Sequence, residues 1–230
     1  MSTAELQSLH DAIRAEGPLV WLFTGDSITH GLTHTQGQRS YPEHLHELIR
    51  GDFGRVRDVV VNTAISGNRI ADILADWRWR VDAWQPNIVS LMIGTNDCAV
   101  MPDAPVVEPA QFAESLAEFV DRVRAVPAIP ILQTPPPLDD LHCPERSRFA
   151  EFAAAVRETA VRRDVILIDQ LKWLSGFGYG EVPFGLLGDP IHPNAAGHAA
   201  MARQFAHVTG LEFPGSRVLA LLDGVIAAAH

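Results

Sequence analysis

Cysteine is scarce in this chain of 230 residues: Cys98 and Cys143 are the only two. They do not suggest a disulfide framework. Basic residues are also in the minority. Lys and Arg number 18 against 28 Asp and Glu, a net charge of −10, and no run of four or more Lys or Arg occurs. That balance argues against a nucleic-acid surface or an anionic membrane surface. Long apolar runs are missing too. None approaches the ~20 residues that cross a bilayer, so no membrane insertion is expected. The opening stretch, "MSTAELQSLHDAIRAEG", lacks a basic start followed by an apolar run. It reads as a short amphipathic helix, not a signal peptide. These absences together favour a cytoplasmic protein, although a chain trimmed of a leader would read the same. Internal repeats and low-complexity linkers are absent as well.

What is present suits a globular fold. Hydrophobic residues make up 47% and charged residues 20%. The length allows one sizeable core, so residues 1–230 read as a single domain. Five apolar, β-branched runs have strand length: "LVWLF" (19–23), "VRDVVVN" (56–62), "NIVSLMI" (87–93), "IPILQT" (129–134) and "DVILID" (164–169). Four of them are nearly continuous, as for strands covered on both faces. Helical patterns separate them: 40–54 with Leu45, Leu48 and Ile49, 68–84 with Ile70, Ile73, Leu74 and Trp77, 108–126 with Phe112, Leu116, Phe119, Val120 and Val123, and 144–163 with Phe149, Phe152 and Val156. A last helix over 194–210 has Asn194 as its cap and Gly210 at its end. Such alternation predicts an α/β fold, a parallel sheet with helices on both faces. The proline-rich "QTPPPLDDLHCP" (133–144) reads as a surface loop, and the glycine-rich 173–190 as another. The tail, "GSRVLALLDGVIAAAH", reads as a terminal helix or a contact in a homo-oligomer.

Ligands of open parallel sheets gather at the carboxyl ends of the strands. Three polar turns stand there: "GDSIT" after the first strand, "NTAISGN" after the second and "GTND" after the third. Ser27 at a strand-to-helix turn has its own N–H directed at whatever its Oγ attacks. The plainer account is a helix cap by Asp26 or Ser27. Asn96 offers a neutral carboxamide donor for an oxyanion, or an Asx turn. Gly67 permits a close backbone approach, or serves a tight turn. In "GDPIHPN", Asp189 and His192 stand three residues apart in a segment broken by Pro190 and Pro193. His192 precedes a proline and so favours extended backbone, where Asp189 can orient Nδ1 and leave Nε2 free. Alone, that segment is better read as a helix-entry turn with a surface histidine.

Taken together, these four motifs resemble the SGNH (GDSL-type) hydrolase superfamily: "GDSIT" with Ser27, "ISGN" with Gly67, "GTND" with Asn96, and "DPIHPN" with Asp189 and His192. The resemblance runs from the first strand to the last helix. It implies a three-layer α/β/α sandwich with a flavodoxin-like five-stranded parallel sheet, and ester hydrolysis without a cofactor. It implies Ser27 as nucleophile, His192 as base and Asp189 as its orienting group. Ser27 N–H, Gly67 N–H and Asn96 would form the oxyanion hole. The expected substrate is a small-molecule ester carrying a short acyl group, acetyl on a carbohydrate being favoured. A lipase, lysophospholipase or thioesterase is the alternative within the same chemistry, and a non-catalytic binding module or phosphoryl-accepting switch at Asp26 the alternative outside it. Asp26 and Asp97 read as structural acceptors of backbone N–H groups. The histidines His30, His34, His44 and His46 lack a compact ligand spacing, so no metal is expected from them. His30, His34 and Arg39 are placed at the rim beside Ser27. Trp77, Trp79 and Trp84 are expected to pack on the sheet. Asp189 should favour the charged imidazolium and hold the His192 pKa around or above ~6.5.

Overall fold

The computed structural model describes residues 3–102, 104–177 and 184–229. In chain order the regular elements are α1 (Thr3–Arg14), β1 (Val20–Gly25), α2 (Ser27–His30), α3 (Tyr41–Glu47), β2 (Val59–Asn62), α4 (Ile70–Ala75), α5 (Trp77–Arg80), β3 (Ile88–Met92), α6 (Pro109–Ala125), β4 (Ile129–Gln133), α7 (Phe149–Arg163), β5 (Ile166–Ile168), α8 (Gln170–Ser175), α9 (Ala195–Thr209) and α10 (Arg217–Ala227). The five strands form one sheet in the order β2-β1-β3-β4-β5, with every pairing parallel.

Alternation along the strands builds two cores. Trp21, Phe23, Ile88 and Met92 face one layer, where Leu9 of α1, Leu45 of α3, Phe205 of α9 and Leu222 of α10 cover them. Leu22, Val89 and Leu91 face the other, against Ile73 of α4, Phe112 and Phe119 of α6, and Phe152 of α7. The result is the three-layer α/β/α arrangement. The tail is a helix whose Val218, Leu219, Leu222 and Ile226 are buried in the first core.

A buried polar chain ties the first helices to the far side of the sheet. Thr29 Oγ1 lies 3.1 Å from the Tyr41 hydroxyl, which accepts from Gln133 Nε2 at 3.1 Å. Gln133 Nε2 also donates to Ser90 Oγ at 2.9 Å, and Gln170 Nε2 donates to Gln133 Oε1 at 2.9 Å. Interior polar groups of this kind need their partners, so the chain fixes α2 against β4 and α8.

Three expectations are corrected by tertiary contacts. The helical pattern over 68–84 is broken into α4, α5 and a 3₁₀ turn at Asp82–Trp84. Arg122 of α6 donates to the Leu74 carbonyl at 2.8 Å, taking the acceptor that the Arg78 N–H would use in a continuous helix. After that break Arg80 turns inward and Trp79 outward. Trp79 is 63% and Trp84 45% exposed, so only Trp77 packs inward, edge-on against Phe119. The proline-rich segment 133–144 lies at the surface only in its second part, where residues 140–142 and 144 are exposed. Pro135, Pro136, Pro137, Leu138 and Asp139 are buried. Proline brings no N–H that burial would leave unpaired, and the Asp139 N–H donates to the Pro190 carbonyl at 2.7 Å. Of the glycine-rich stretch 173–190, the first part belongs to α8 and residues 178–183 lie outside the described residues.

Gly25 ends β1 because nothing larger fits. It pairs with Met92 of β3, and a Cβ on it would lie 2.1 Å from the Met92 carbonyl oxygen. Gly25→Ala should therefore cost about 3 kcal/mol or more, as overpacking against backbone does. Urea unfolding measures it, and an unchanged midpoint would show that the two strands can part.

Candidate active site

The order β2-β1-β3 places a topological switch between β1 and β3, since the chain leaves these neighbours toward opposite edges. Ser27 begins α2 directly after β1. Asp26 caps that helix, its Oδ1 accepting from Ile28 N at 3.0 Å. Asn96 follows β3, and Asp97 beside it accepts from Ile70 N at 2.9 Å, which joins the "GTND" turn to the start of α4. Asp26 is wholly buried, and burial pushes its carboxyl up to about 7. Burial likewise pushes Asp97 up to about 6. An acid so enclosed, with one oxygen spent on a cap, is no accessible phosphoacceptor.

His192 arrives from the other end of the chain on a tight loop. Leu187 and Pro193 form an antiparallel bridge, and Gly188 N donates to the His192 carbonyl at 2.8 Å. Asp189 Oδ1 accepts from Ile191 N and His192 N, both at 2.8 Å. Asn194 then caps α9 through Gly197 N at 3.0 Å. This wrapping brings Asp189 Oδ2 to 2.8 Å from His192 Nδ1 and leaves Nε2 2.9 Å from Ser27 Oγ. Ser27 is 8% exposed, enough for a small group to reach it.

Donors stand nearby. The N–H groups of Ser27 and Gly67 donate to no protein acceptor among the described residues. Gly67 has φ of 83°, and nothing lies within 4 Å of where its Cβ would be, so its turn faces open space. Asn96 Nδ2 donates to the Asn68 carbonyl at 3.1 Å, which aims the carboxamide along the Gly67 turn and leaves its second N–H available. The five residues named from the four motifs therefore meet at one edge of the sheet.

Burial lowers the His192 pKa below the usual histidine range, and the Asp189 hydrogen bond and charge only partly offset it. This reverses the expected direction: the histidine is enclosed far more than its place between two prolines suggested. Burial also opposes ionisation of Asp189, but the N–H groups of Ile191 and His192 and the imidazole hold its carboxyl below the ordinary value.

Of the rim residues, His30 accepts from Ser66 N at 3.2 Å and Arg39 pairs with Glu47. His34 is closer to the chemistry than the sequence indicated. Its ring lies flat on His192, centroids 3.5 Å apart and planes within 7°, with Nδ1 3.4 Å from Asp189 Oδ2. Ligand atoms of His34, Asp189 and His192 fall within 4.8 Å of one another. A metal ion binds in the plane of each imidazole, and two parallel stacked planes share no such point, so this arrangement does not fit a cation. Arg146, from the turn before α7, donates to the Thr95 carbonyl at 3.1 Å and adds a positive charge near His192. Nothing in its sequence neighbourhood signalled that position.

Residues 23–200 match the profile of the GDSL-like Lipase/Acylhydrolase family. The chain belongs to that family. An acetylxylan esterase of Geobacillus stearothermophilus is 29% identical over 210 residues, 85% of this chain and 96% of the relative. The crystal structure of a catalytic mutant of Axe2, an acetylxylan esterase from the same organism, superposes with a TM-score of 0.74 at 26% identity, covering 88% of this chain and all of the other. LAE5, an alpha/beta hydrolase enzyme from the metagenome of Lake Arreo, Spain, gives a TM-score of 0.69 at 27% identity over 85% of this chain and 98% of its own. As a GDSL-like acylhydrolase the chain is a carboxylic ester hydrolase. Among the described residues no helix is long and apolar enough to cross a membrane.

The depressed imidazole has a direct check. In an NMR titration of the imidazole carbons, His192 should reach half-protonation below pH ~6.5. A midpoint above that value would mean that Asp189 outweighs burial.

Proposed function

We propose that this GDSL-like acylhydrolase is a serine esterase that removes acetyl groups from a carbohydrate through an acyl-enzyme on Ser27. The observation that carries the reading is the unbroken line from Asp189 through His192 Nδ1 and Nε2 to Ser27 Oγ, with contacts of 2.8 and 2.9 Å. Serine is a weak nucleophile until a base takes its proton, and the base works in one tautomer, which the carboxylate selects. Ser27 Oγ attacks the ester carbon as its proton passes to Nε2. The carbonyl electrons move onto oxygen, where Ser27 N–H, Gly67 N–H and Asn96 Nδ2–H receive them. His192 returns the proton to the departing alcohol. Water then attacks the acyl-enzyme by the same sequence and frees acetate and Ser27.

The carbohydrate and the acetyl group rest on the likeness to the acetylxylan esterase. The single five-stranded sheet supports reading residues 1–230 as one catalytic domain.

Ser27→Ala should keep the fold, lose labelling by a fluorophosphonate and lose turnover. Esterase activity near that of the parent would remove Ser27 from the mechanism. Asn96→Ala should lower kcat by about 10²–10³ with little change in KM, because its N–H meets charge present only in the tetrahedral intermediate. A change in KM alone would make it a ground-state contact. Acetylated xylo-oligosaccharides should be deacetylated, and p-nitrophenyl esters should be cleaved more slowly as the acyl chain lengthens. Rates that rise with chain length would favour a lipase.

A further inference from the structure

His34 stands outside the four motifs, yet it makes the most extensive ring contact of His192. The two imidazoles overlie each other at 3.5 Å, which is van der Waals contact with no layer of water between them. Its position is built in. His34 lies in a 3₁₀ turn, Thr33–Thr35, closed by Gln36 N donating to the Thr33 carbonyl at 3.0 Å and by Thr35 Oγ1 donating to the Leu32 carbonyl at 3.0 Å. Thr35 is buried beneath it. The turn also packs on the loop that carries His192: a Cβ on Gly188 would touch the His34 carbonyl oxygen at 3.4 Å.

Three contacts thus define the His192 ring. Asp189 holds Nδ1, Ser27 meets Nε2, and His34 covers one face. The first two act in the ring plane through Nδ1 and Nε2. A flat group on the face adds a steric restraint to them, since a twist about Cβ–Cγ toward that face drives a ring edge into His34. His34 Nδ1, 3.4 Å from Asp189 Oδ2, is too distant for a strong hydrogen bond, so the carboxylate remains committed to His192 at 2.8 Å.

We propose that His34 is a positioning residue for the esterase reaction, holding the His192 ring in plane by stacking on its face. The proposal rests on reading His192 as the base. The groups that act on His192 are Asp189 from its own loop, His34 from the turn after α2, Arg146 from the turn before α7, and His198 from α9, which is itself neutral because burial drives it down to about 3. The charges of His34 and Arg146 both disfavour the imidazolium. Replacing His34 by an uncharged group should therefore move the acid limb of the reaction to higher pH.

The test follows inactivation by a small fluorophosphonate across pH, which reads activation of Ser27 without a sugar-binding step. The variants are His34→Phe, which keeps a flat ring, and His34→Gln, which keeps polarity and similar bulk but has no ring, beside the parent and His192→Ala. His34→Gln should be inactivated about three- to tenfold more slowly, from lost orientation of the base. His34→Phe should recover most of that rate. Both should show the acid limb displaced to higher pH, and with an acetyl ester the loss in His34→Gln should fall on kcat and leave KM nearly unchanged. Phe and Gln variants that are equally slow, or a Gln variant with the parental rate and limb, would overturn the stacking role. Rapid inactivation of His192→Ala would instead overturn the base itself, a separate failure. Thermal melting of both His34 variants identifies loss of fold, and the rate of whichever variant folds still decides between ring and no ring.

Discussion

The close approach of β1 to β3 at Gly25 governs the geometry around it. A side chain there would strike the Met92 carbonyl, so the two strands can run side by side to their carboxyl ends only with glycine in that place. Because the chain leaves these two strands in opposite directions, their ends face a crevice that no crossover covers. Asp26 turns the chain into α2 and presents Ser27 to that crevice, while Gly94 and Thr95 lead β3 into it and present Asn96. The turn after β2 adds Gly67 from the third direction. Were β1 and β3 further apart, the turns that carry Ser27 and Asn96 would no longer be neighbours at the end of the sheet.

The electrostatics of this crevice follow from burial more than from pairing. Asp26 and Asp97 adjoin the serine and the asparagine in sequence, and each spends one oxygen on a backbone N–H and leaves the other unpartnered. Water exclusion raises both, to about 7 and about 6, so near neutral pH Asp26 is uncharged in a sizeable part of the population and Asp97 in a minor part. The sign matters for anything bound there. A full negative charge beside Ser27 or Asn96 would repel an anionic group in the crevice, and a buried carboxyl that retains its proton repels it less. The same enclosure lowers His192 and keeps its imidazole neutral further into the acid range.

Much of this was legible because it rests on local patterns. Continuous apolar runs marked strands covered on both faces, and polar turns after three of them marked the edge where the site forms. Asp189 and His192, three residues apart in a segment broken by Pro190 and Pro193, could be expected to fold on each other, since the loop is short and the prolines limit it. What could not be read depends on partners distant in sequence. The helix over 68–84 breaks because Arg122, far along the chain, takes the Leu74 carbonyl. The segment 135–139 is buried because prolines need no partner for a missing N–H and because Pro190 accepts from Asp139. His34 was placed at the rim, but its stacking depends on how two loops 158 positions apart in the numbering meet, and no periodicity encodes that.

Ser27 and His192 are separated by 165 positions along the chain, and their contact has a consequence for how the protein comes into being. On the ribosome Ser27, Gly67 and Asn96 emerge before the loop that enters α9, and His192 comes with that loop, after every strand of the sheet has been synthesised. The nascent sheet can therefore assemble before Ser27 has its partner, and the contact forms only when this loop docks on the crevice.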